Sequence, residues 1–424
     1  MHIIMNTNTG NKNNRNNKNV SKNNENINNN NENISNDTAN PIFINIITFI
    51  KKETVLSIAI VLAVLSMFVI RPDREYISYI DFRTLAILFC LMTIVASFRQ
   101  IGAFDMLARK MLQKMGSITG IVMVLVLMCF FTSMFITNDV ALITFVPLAI
   151  IVLGKMENDI MITCVVMQTI AANLGSMLTP IGNPQNLFLY GKAEQAVNMG
   201  IGEFIMLMLP YSLVSLVLLI TWIVFSGRKW SRHKNSPAKD NRPGTAINVI
   251  KSCYKEYMIV YGILFIISLL AVAHKIHYII PFILVLIYSI VRNRKVLKKV
   301  DYSLLATFVA LFIFIGNLGR ITEFAEFLKN FMNGKEMYTA IAASQIMSNV
   351  PAAVLLEQFT DNTNALIIGT NLGGLGTLIA SMASLISFKC IARENESAKA
   401  KYLGIFTFAN VVFLVLLVAV YILI

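Results

Sequence analysis

Two short polar motifs interrupt long apolar stretches of this chain, and they contain the side chains best suited to hold a small ligand. One motif lies within residues 119–153 and the other within residues 336–360. Hydroxyl and amide groups donate and accept hydrogen bonds, which suits the oxygen atoms of a small substrate. The residues predicted to bind substrate are Thr137, Asn138, Ser348 and Asn349.

Two further polar segments, rich in Gly and Asn, lie at 173–186 and 371–377. A helix that breaks at membrane depth leaves backbone carbonyl and N–H groups without partners inside the helix. The N–H groups suit an anion, and the carbonyls and Asn side-chain oxygens suit Na⁺, the one metal ion that the pattern suggests. The residues predicted to bind or couple a cation are Asp139, Gly182, Asn183, Asn186, Asn371, Gly373 and Thr377.

Each motif also has a purely structural interpretation. Asn138 or Asp139 would cap the start of a helix, as would Asn349 followed by Pro351, and the glycines would allow close helix packing. The recurrence of both motifs in each half of the chain favours function. Asp139 stands apart because an acid at membrane depth is costly and often functional. It would carry a coupling proton, bind a cation or cap a helix.

The composition places these motifs in a membrane. Of the 424 residues, 56% are hydrophobic and 14% are charged, whereas a soluble domain has roughly a quarter charged residues. The apolar residues form blocks about as long as the hydrocarbon core requires. Lipid offers the backbone no hydrogen bonds, so such blocks must be helices. We therefore predict an all-α polytopic membrane protein in contact with the lipid bilayer.

The apolar blocks predict about nine membrane crossings and two interrupted stretches. Each interrupted stretch is either one broken span or a re-entrant hairpin. If both are hairpins, every strongly basic loop falls on one face, which the positive-inside rule assigns to the cytoplasm. The N-terminus is then cytoplasmic and the C-terminus outside. The predicted crossings are 54–70, 80–98, 160–190, 203–226, 256–273, 276–292, 302–319, 363–388 and 402–424.

Three motif pairs recur in the same order and predict an internal duplication. Asp81 and Asp301 each precede a long apolar segment, the two polar motifs follow, and Asn-Leu-Gly comes next at 173–175 and 371–373. By the span count the two copies start on opposite faces of the membrane, so the predicted repeats are inverted. Each repeat is predicted to contain a hairpin and a broken helix. The predicted regions are a disordered Asn-rich cytoplasmic tail at 1–40, a first repeat at 41–226, a basic cytoplasmic linker at 227–255 and a second repeat at 256–424.

The sequence gives no support to an enzyme or a nucleic-acid partner. It contains no phosphate loop, no Cys-x-x-Cys pair and no Ser–His–Asp arrangement with local support. The net charge of +13 is concentrated in particular loops, which is typical of membrane orientation. We therefore expect no cofactor, with Na⁺ as a candidate coupling ion.

At these motifs the sequence resembles the ion transporter superfamily with the citrate-transporter-like domain. This group includes divalent-anion/sodium symporters, arsenite permeases and a sodium/proton antiporter branch, and the resemblance covers about residues 54–424. The hairpin motifs are similar to those of the arsenite-permease branch. The segments that carry the resemblance are Phe135–Ile143 with Pro147, Ser348–Pro351, Gly175–Asn186 and Gly369–Thr377.

The resemblance implies roles for both hairpin tips. In the symporter branch each tip carries Ser-Asn-Thr, which binds the substrate carboxylate and helps to hold sodium. Here the third Thr is replaced by Asp139 in one tip and Val350 in the other. Asp139 would repel a dianion unless it is protonated or paired with a cation. The resemblance also implies a scaffold, a mobile transport domain and often a homodimer.

These features predict a secondary active transporter of the plasma (inner) membrane. It would couple a small anion, of the citrate/dicarboxylate or inorganic oxyanion type, to Na⁺ or H⁺ by alternating access. One alternative is an arsenite efflux permease, which would move a neutral oxyacid, or a Na⁺/H⁺ antiporter that uses Asp139. The alternative from another class is a passive ion channel, which cannot move its substrate uphill.

Overall fold

The structure is a computed structural model that describes residues 50, 53–154, 156, 158–230, 252–394 and 396–424. The predicted tail at 1–40 lies outside these residues, as does most of the predicted linker. The chain divides into two compact units after Ile58. The described part of the first unit is residue 50 and the start of one helix, and the features that follow belong to the second unit, residues 59–424.

Every regular element in the described part of the chain is helical. The helices before the linker are α1 (Thr54–Val69), α2 (Tyr76–Tyr79), α3 (Phe82–Ile101), α4 (Ala103–Leu112), α5 (Ile118–Ile136), α6 (Asn138–Leu153), α7 (Asn158–Ser176), α8 (Pro184–Val197) and α9 (Ile201–Trp230). The helices after it are α10 (Ser252–Val272), α11 (Ile279–Arg292), α12 (Arg294–Leu297), α13 (Tyr302–Gly319), α14 (Thr322–Met332), α15 (Glu336–Met347), α16 (Asn349–Glu357), α17 (Thr363–Leu372), α18 (Met382–Glu394) and α19 (Lys399–Leu423).

Six of the described helices are long and apolar enough to cross a bilayer. They are α3, α5, α7, α9, α13 and α19. The predicted crossings at 54–70, 256–273 and 276–292 correspond to shorter apolar helices, α1, α10 and α11. The prediction of an all-α membrane protein is therefore confirmed, and the protein is integral to the membrane.

The predicted interruptions fall at helix boundaries. The stretch 119–153 consists of α5 and α6, and 336–360 contains α15 and α16. The predicted crossing at 160–190 is two helices, α7 and α8, and that at 363–388 is likewise α17 and α18. Polar and glycine-rich sequence therefore marks four places where a helix ends inside an apolar stretch.

The region 99–117 is one of the basic segments that the sequence analysis treats as loops between crossings, and the structure corrects this because the region contains all of helix α4. Ala108 and Leu112 of this helix are buried, at 0% and 5% exposure. Apolar residues at helical spacing give α4 one apolar face, while its charged residues lower the average hydropathy that suggested a loop. The helix α14 is amphipathic in the same way.

Helix α7 is the centre of the packing around the polar motifs. It packs against α5, α6, α9, α18 and α19. In its most apolar stretch 89% of the residues are buried inside the protein, compared with 28% in that of α19. It is also the least apolar of the six span candidates. This is expected in a membrane, because a helix enclosed by protein can carry polar side chains that lipid would exclude.

Close packing of α7 on α5 depends on Gly175. A Cβ atom at this position would lie 2.1 Å from the Phe130 carbonyl oxygen and 2.6 Å from Ser133 Oγ. A side chain of any size would force the two helices apart. Gly175 thus fixes where the C-terminal end of α7 lies relative to the end of α5.

We expect Gly175→Ala to lower the free energy of unfolding by about 1–3 kcal/mol, the usual cost of overpacking. Gly262→Ala on α10 is the matched control, because nothing lies within 4 Å of its Cβ position. The measurement is thermal unfolding of the purified full chain in detergent, followed by loss of helical circular dichroism. Equal melting temperatures for the two variants would contradict the close approach of α7 and α5.

Candidate functional site

The polar motifs form two tips and two breaks. The first tip is Thr137–Asp139, at the junction of α5 and α6, and the second tip is Ser348–Val350, at the junction of α15 and α16. The first break is the segment 177–183 between α7 and α8, and the second break is the segment 373–381 between α17 and α18.

The first residue of each tip has the same unusual backbone conformation. Thr137 has φ 69° and ψ 149°, and Ser348 has φ 76° and ψ 154°. Positive φ is rare for residues other than glycine, particularly for a β-branched residue such as Thr. It costs about 1–3 kcal/mol at such a site and persists only where the surroundings enforce it. The two tips therefore hold similar local strain.

Each tip is hydrogen-bonded to a break by its Asn backbone. The N–H of Asn138 donates to the Gly182 carbonyl at 3.2 Å, and the N–H of Asn349 donates to the Ala380 carbonyl at 3.0 Å. These N–H groups are the first of α6 and α16 and have no partner inside their own helices. The breaks therefore satisfy the helix starts that the tips create.

A threonine in each break makes a second contact to the helix that precedes the tip. Thr179 Oγ1 donates to the Met134 carbonyl at 2.5 Å, and Thr377 Oγ1 donates to the Gln345 carbonyl at 3.3 Å. Met134 and Gln345 each stand three residues before their tip. The two tip–break pairs are thus joined by the same pair of hydrogen bonds at corresponding positions.

Asn173, near the end of α7, connects the first tip to the second break. Its side-chain oxygen accepts from Asn138 Nδ2 and from Ser381 Oγ, both at 3.0 Å. Its Nδ2 donates to the Gly374 carbonyl at 3.3 Å. A Cβ atom on Gly374 would lie 3.1 Å from Asn349 Nδ2, so both tips border the second break.

Asn371, at the end of α17, makes the opposite connection to the first break. Its side-chain oxygen accepts from Asn183 Nδ2 at 3.2 Å, and its Nδ2 donates to Asn186 Oδ1 at 2.6 Å and to the Ile367 carbonyl at 2.8 Å. Asn173 and Asn371 occupy the same position in the two Asn-Leu-Gly motifs. Each therefore contacts the break that belongs to the other motif.

Backbone groups fix the orientation of every amide in this network. An N–H group can only donate and a carbonyl can only accept, so one backbone partner decides which end of an Asn or Gln side chain is which. Asn138 and Asn183 accept backbone N–H groups of Asp139 and Asn186, while Asn173 and Asn371 donate to backbone carbonyls. The network is therefore directional.

Asp139 carries the formal charge nearest to this network. Its backbone N–H donates to Asn138 Oδ1 at 2.9 Å, and its side chain is partly exposed. One carboxylate oxygen, Oδ1, is buried and has no hydrogen-bond partner among the described residues. A buried acceptor without a donor is costly, and a bound cation or proton would remove that cost.

The predicted residues do not all take part in the network in the same way. The side chains of Asn138, Asn183, Asn186 and Asn371 lie within it, Gly182 and Gly373 supply backbone carbonyls, and Ser348 and Asn349 are buried beside it. Thr377 is exposed and lies outside the Asn network. Its N–H donates to Gln345 Oε1 and its Oγ1 donates to the Gln345 carbonyl.

The prediction missed Asn173, Ser381 and Gln345. Comparison of the two Asn-Leu-Gly motifs would have found Asn173, because it matches Asn371. Ser381 matches Asn183 at the same distance after the motif. Gln345 has no such signal, since Met134 stands at the corresponding position.

We expect Asn371→Asp to lower the free energy of unfolding by about 2 kcal/mol or more, because two oxygen acceptors would lose their N–H donor inside the protein. Asn362→Asp is the matched control. Asn362 is exposed and caps α17 by accepting from the Ala365 N–H, a role that Asp fills equally well. Thermal unfolding in detergent separates the two, and similar melting temperatures would argue against a buried amide network.

Sequence comparison identifies the family. Residues 43–364 match the citrate transporter family model. An uncharacterized transporter of Methanocaldococcus jannaschii is 35% identical over 79% of this chain and 87% of its own length. An inner membrane protein of Escherichia coli is 31% identical over 77% of this chain and 84% of its own length. The P protein of Mus musculus is 30% identical over 36% of this chain and 19% of its own length. The chain therefore belongs to the citrate transporter family, and it is a membrane transporter.

Proposed function

We propose that this protein is an ion-coupled secondary transporter that moves a small anion by alternating access. The observation that carries the proposal is the pair of tips, each strained at its first residue and each bonded to a break through its Asn backbone N–H. Strain of this kind clusters at ligand sites. Two matched sets of helix ends at one place are also typical of transporter binding sites.

The matched contacts support the proposal that the chain is an inverted duplication. Corresponding residues of the two motif sets make corresponding hydrogen bonds, and Asn173 and Asn371 each reach across to the other set. We infer that α5–α6 and α15–α16 are re-entrant hairpins that enter from opposite faces. With the basic loops in the cytoplasm, the N-terminus is inside and the C-terminus outside the plasma membrane.

Substrate would bind at the tips through groups that donate hydrogen bonds. The hydroxyls of Thr137 and Ser348 and the amides of Asn138 and Asn349 surround the N-terminal ends of α6 and α16. A helix N-terminus carries partial positive charge and favours an anion. Because the tips supply no Lys or Arg, such an anion would be held by neutral donors.

Asp139 would provide the ion coupling. Its negative charge opposes an anion at the first tip, and a Na⁺ or H⁺ bound at its unpartnered carboxylate oxygen would remove that repulsion. Substrate and coupling ion would then bind cooperatively, since each lowers the electrostatic cost of the other. The transporter would move them together, as a scaffold and a mobile domain change their relative position.

The same carboxylate favours a second candidate function. A carboxylate with one buried, unpartnered oxygen is suited to exchange of Na⁺ for H⁺, or to export of a neutral oxyacid such as arsenite, without any bound anion. In either case Asp139 would carry the exchanged proton or cation.

We expect gradient-driven uptake of at least one anion by proteoliposomes containing the full chain. The labelled panel is citrate, succinate, phosphate, sulfate and arsenite, each with an imposed Na⁺ or H⁺ gradient. Asn138→Ala should reduce uptake at least tenfold, since it removes a substrate contact and one bond to Asn173 (a factor of ten corresponds to about 1.4 kcal/mol). Exposed Asn333→Ala is the matched control and should transport normally.

Asp139→Asn should uncouple uptake from the ion gradient. Asp361→Asn is its control, because Asp361 is 90% exposed in its pair with Lys329 and such pairs contribute little. Proton movement driven by Na⁺ and dependent on Asp139, without anion accumulation, would replace the symporter by the exchanger. A substrate that never accumulates inside the liposomes above its equilibrium concentration would instead indicate a channel.

A further inference from the structure

The carbonyl ends of the two broken helices are occupied by side-chain amides. In the second break, Gln345 Nε2 donates to the carbonyls of Gly373 and Leu375, both at 3.0 Å. Asn173 Nδ2 takes the carbonyl between them, that of Gly374, at 3.3 Å. Three successive carbonyls of the second break, just past the end of α17, are thus satisfied by neutral N–H donors.

The first break is satisfied in the same way by a different residue. Asn186 Nδ2 faces the carbonyls of Ser176, Met177 and Thr179 at 3.5, 3.3 and 3.3 Å. Its own side-chain oxygen accepts from Asn371. Both ends of the Asn186 amide are therefore used inside the protein.

The second break is also shaped around Gln345. The Gln345 Oε1 atom accepts the Thr377 N–H at 2.9 Å. Gly376 has φ 109°, and a Cβ atom on it would lie 2.3 Å from the same Oε1. Only glycine fits this turn, because any side chain would strain the backbone and collide with the amide.

The two halves of the chain satisfy their break carbonyls with amide side chains at positions that do not correspond. Met134 stands where the first half would place the equivalent of Gln345, and Ser384 stands where the second half would place the equivalent of Asn186. The amide donors are therefore not a simple consequence of the duplication. Each half has acquired its own donor for a cluster of carbonyl oxygens that would otherwise attract a cation.

We propose that Gln345 and Asn186 are positioning residues that replace a cation at the carbonyl ends of the two breaks. Their N–H groups hold the carbonyls in place, so the breaks keep their shape without Na⁺, and these carbonyls are not the coupling site. The importance of this for transport rests on the proposed function, but the assignment of these amides to the break carbonyls does not. A coupling ion binds at the tips, on the side of Asp139.

The test converts an N–H donor into a cation ligand. Gln345→Glu places a carboxylate against the Gly373 and Leu375 carbonyls, and Gln345→Met copies the residue of the first half. The melting temperature of the purified full chain is measured in Na⁺, K⁺ and choline chloride. Gln358→Glu, on an exposed residue at the end of α16, is the matched control.

We expect the melting temperature of both Gln345 variants to fall in choline. Na⁺ should restore that of Gln345→Glu by several degrees more than it raises the parent or Gln358→Glu, because the variant has gained a site. Any rise in melting temperature that Na⁺ causes in the parent should persist in Gln345→Met. If Na⁺ stabilises the parent but not Gln345→Met, Na⁺ binds these carbonyls and the proposal is overturned. It is also overturned if Na⁺ raises the melting temperature of Gln345→Glu by no more than it raises that of the parent.

If Gln345→Glu proves too unstable to purify, Asn186→Asp supplies the same test at the first break. The melting measurements require no transport. If the protein transports no anion but the variant gains stabilisation by Na⁺, the proposed function fails and the assignment of the amides stands. If the protein transports an anion but the variant gains no stabilisation by Na⁺, the assignment of the amides fails and the proposed function stands.

Discussion

The structure around the candidate site depends on satisfying the backbone polar groups of helix ends that lie among apolar residues. Four helices end inside apolar stretches, at the two tips and the two breaks, and each end leaves N–H or carbonyl groups without intrahelical partners. The tips give their Asn N–H groups to carbonyls of the breaks, and several other carbonyls in and beside the breaks accept from Asn and Gln side chains. The broken helices are stable because these two sets of unsatisfied groups satisfy one another.

Much of this arrangement follows from the sequence. An apolar helix cannot end in lipid without a partner for its backbone, so a polar motif inside an apolar stretch marks a helix end. Thr137-Asn138 and Ser348-Asn349 could therefore be identified as tips, and the polar segments 173–186 and 371–377 as the regions of the breaks. The helical class and the polar motifs were accessible for the same reason, because both depend on local composition.

The partners of these groups were harder to predict. Gln345 lies one helical turn before its tip in an ordinary apolar context, and only the folded chain brings it to the second break. The α4 and α14 helices were missed because amphipathic sequence with several charges has the average composition of a loop. What distinguishes such elements is the direction in which side chains point, which composition does not contain.

The directional amide network has a consequence for leakage across the membrane. Protons cross hydrated proteins along chains of water and hydroxyl groups, in which each member accepts one proton while releasing another. An Asn or Gln side chain neither gains nor loses a proton near neutral pH, and here backbone partners also prevent it from turning over. The Asn and Gln side chains between the two breaks therefore contribute no proton relay of their own, although their amides are as polar as water.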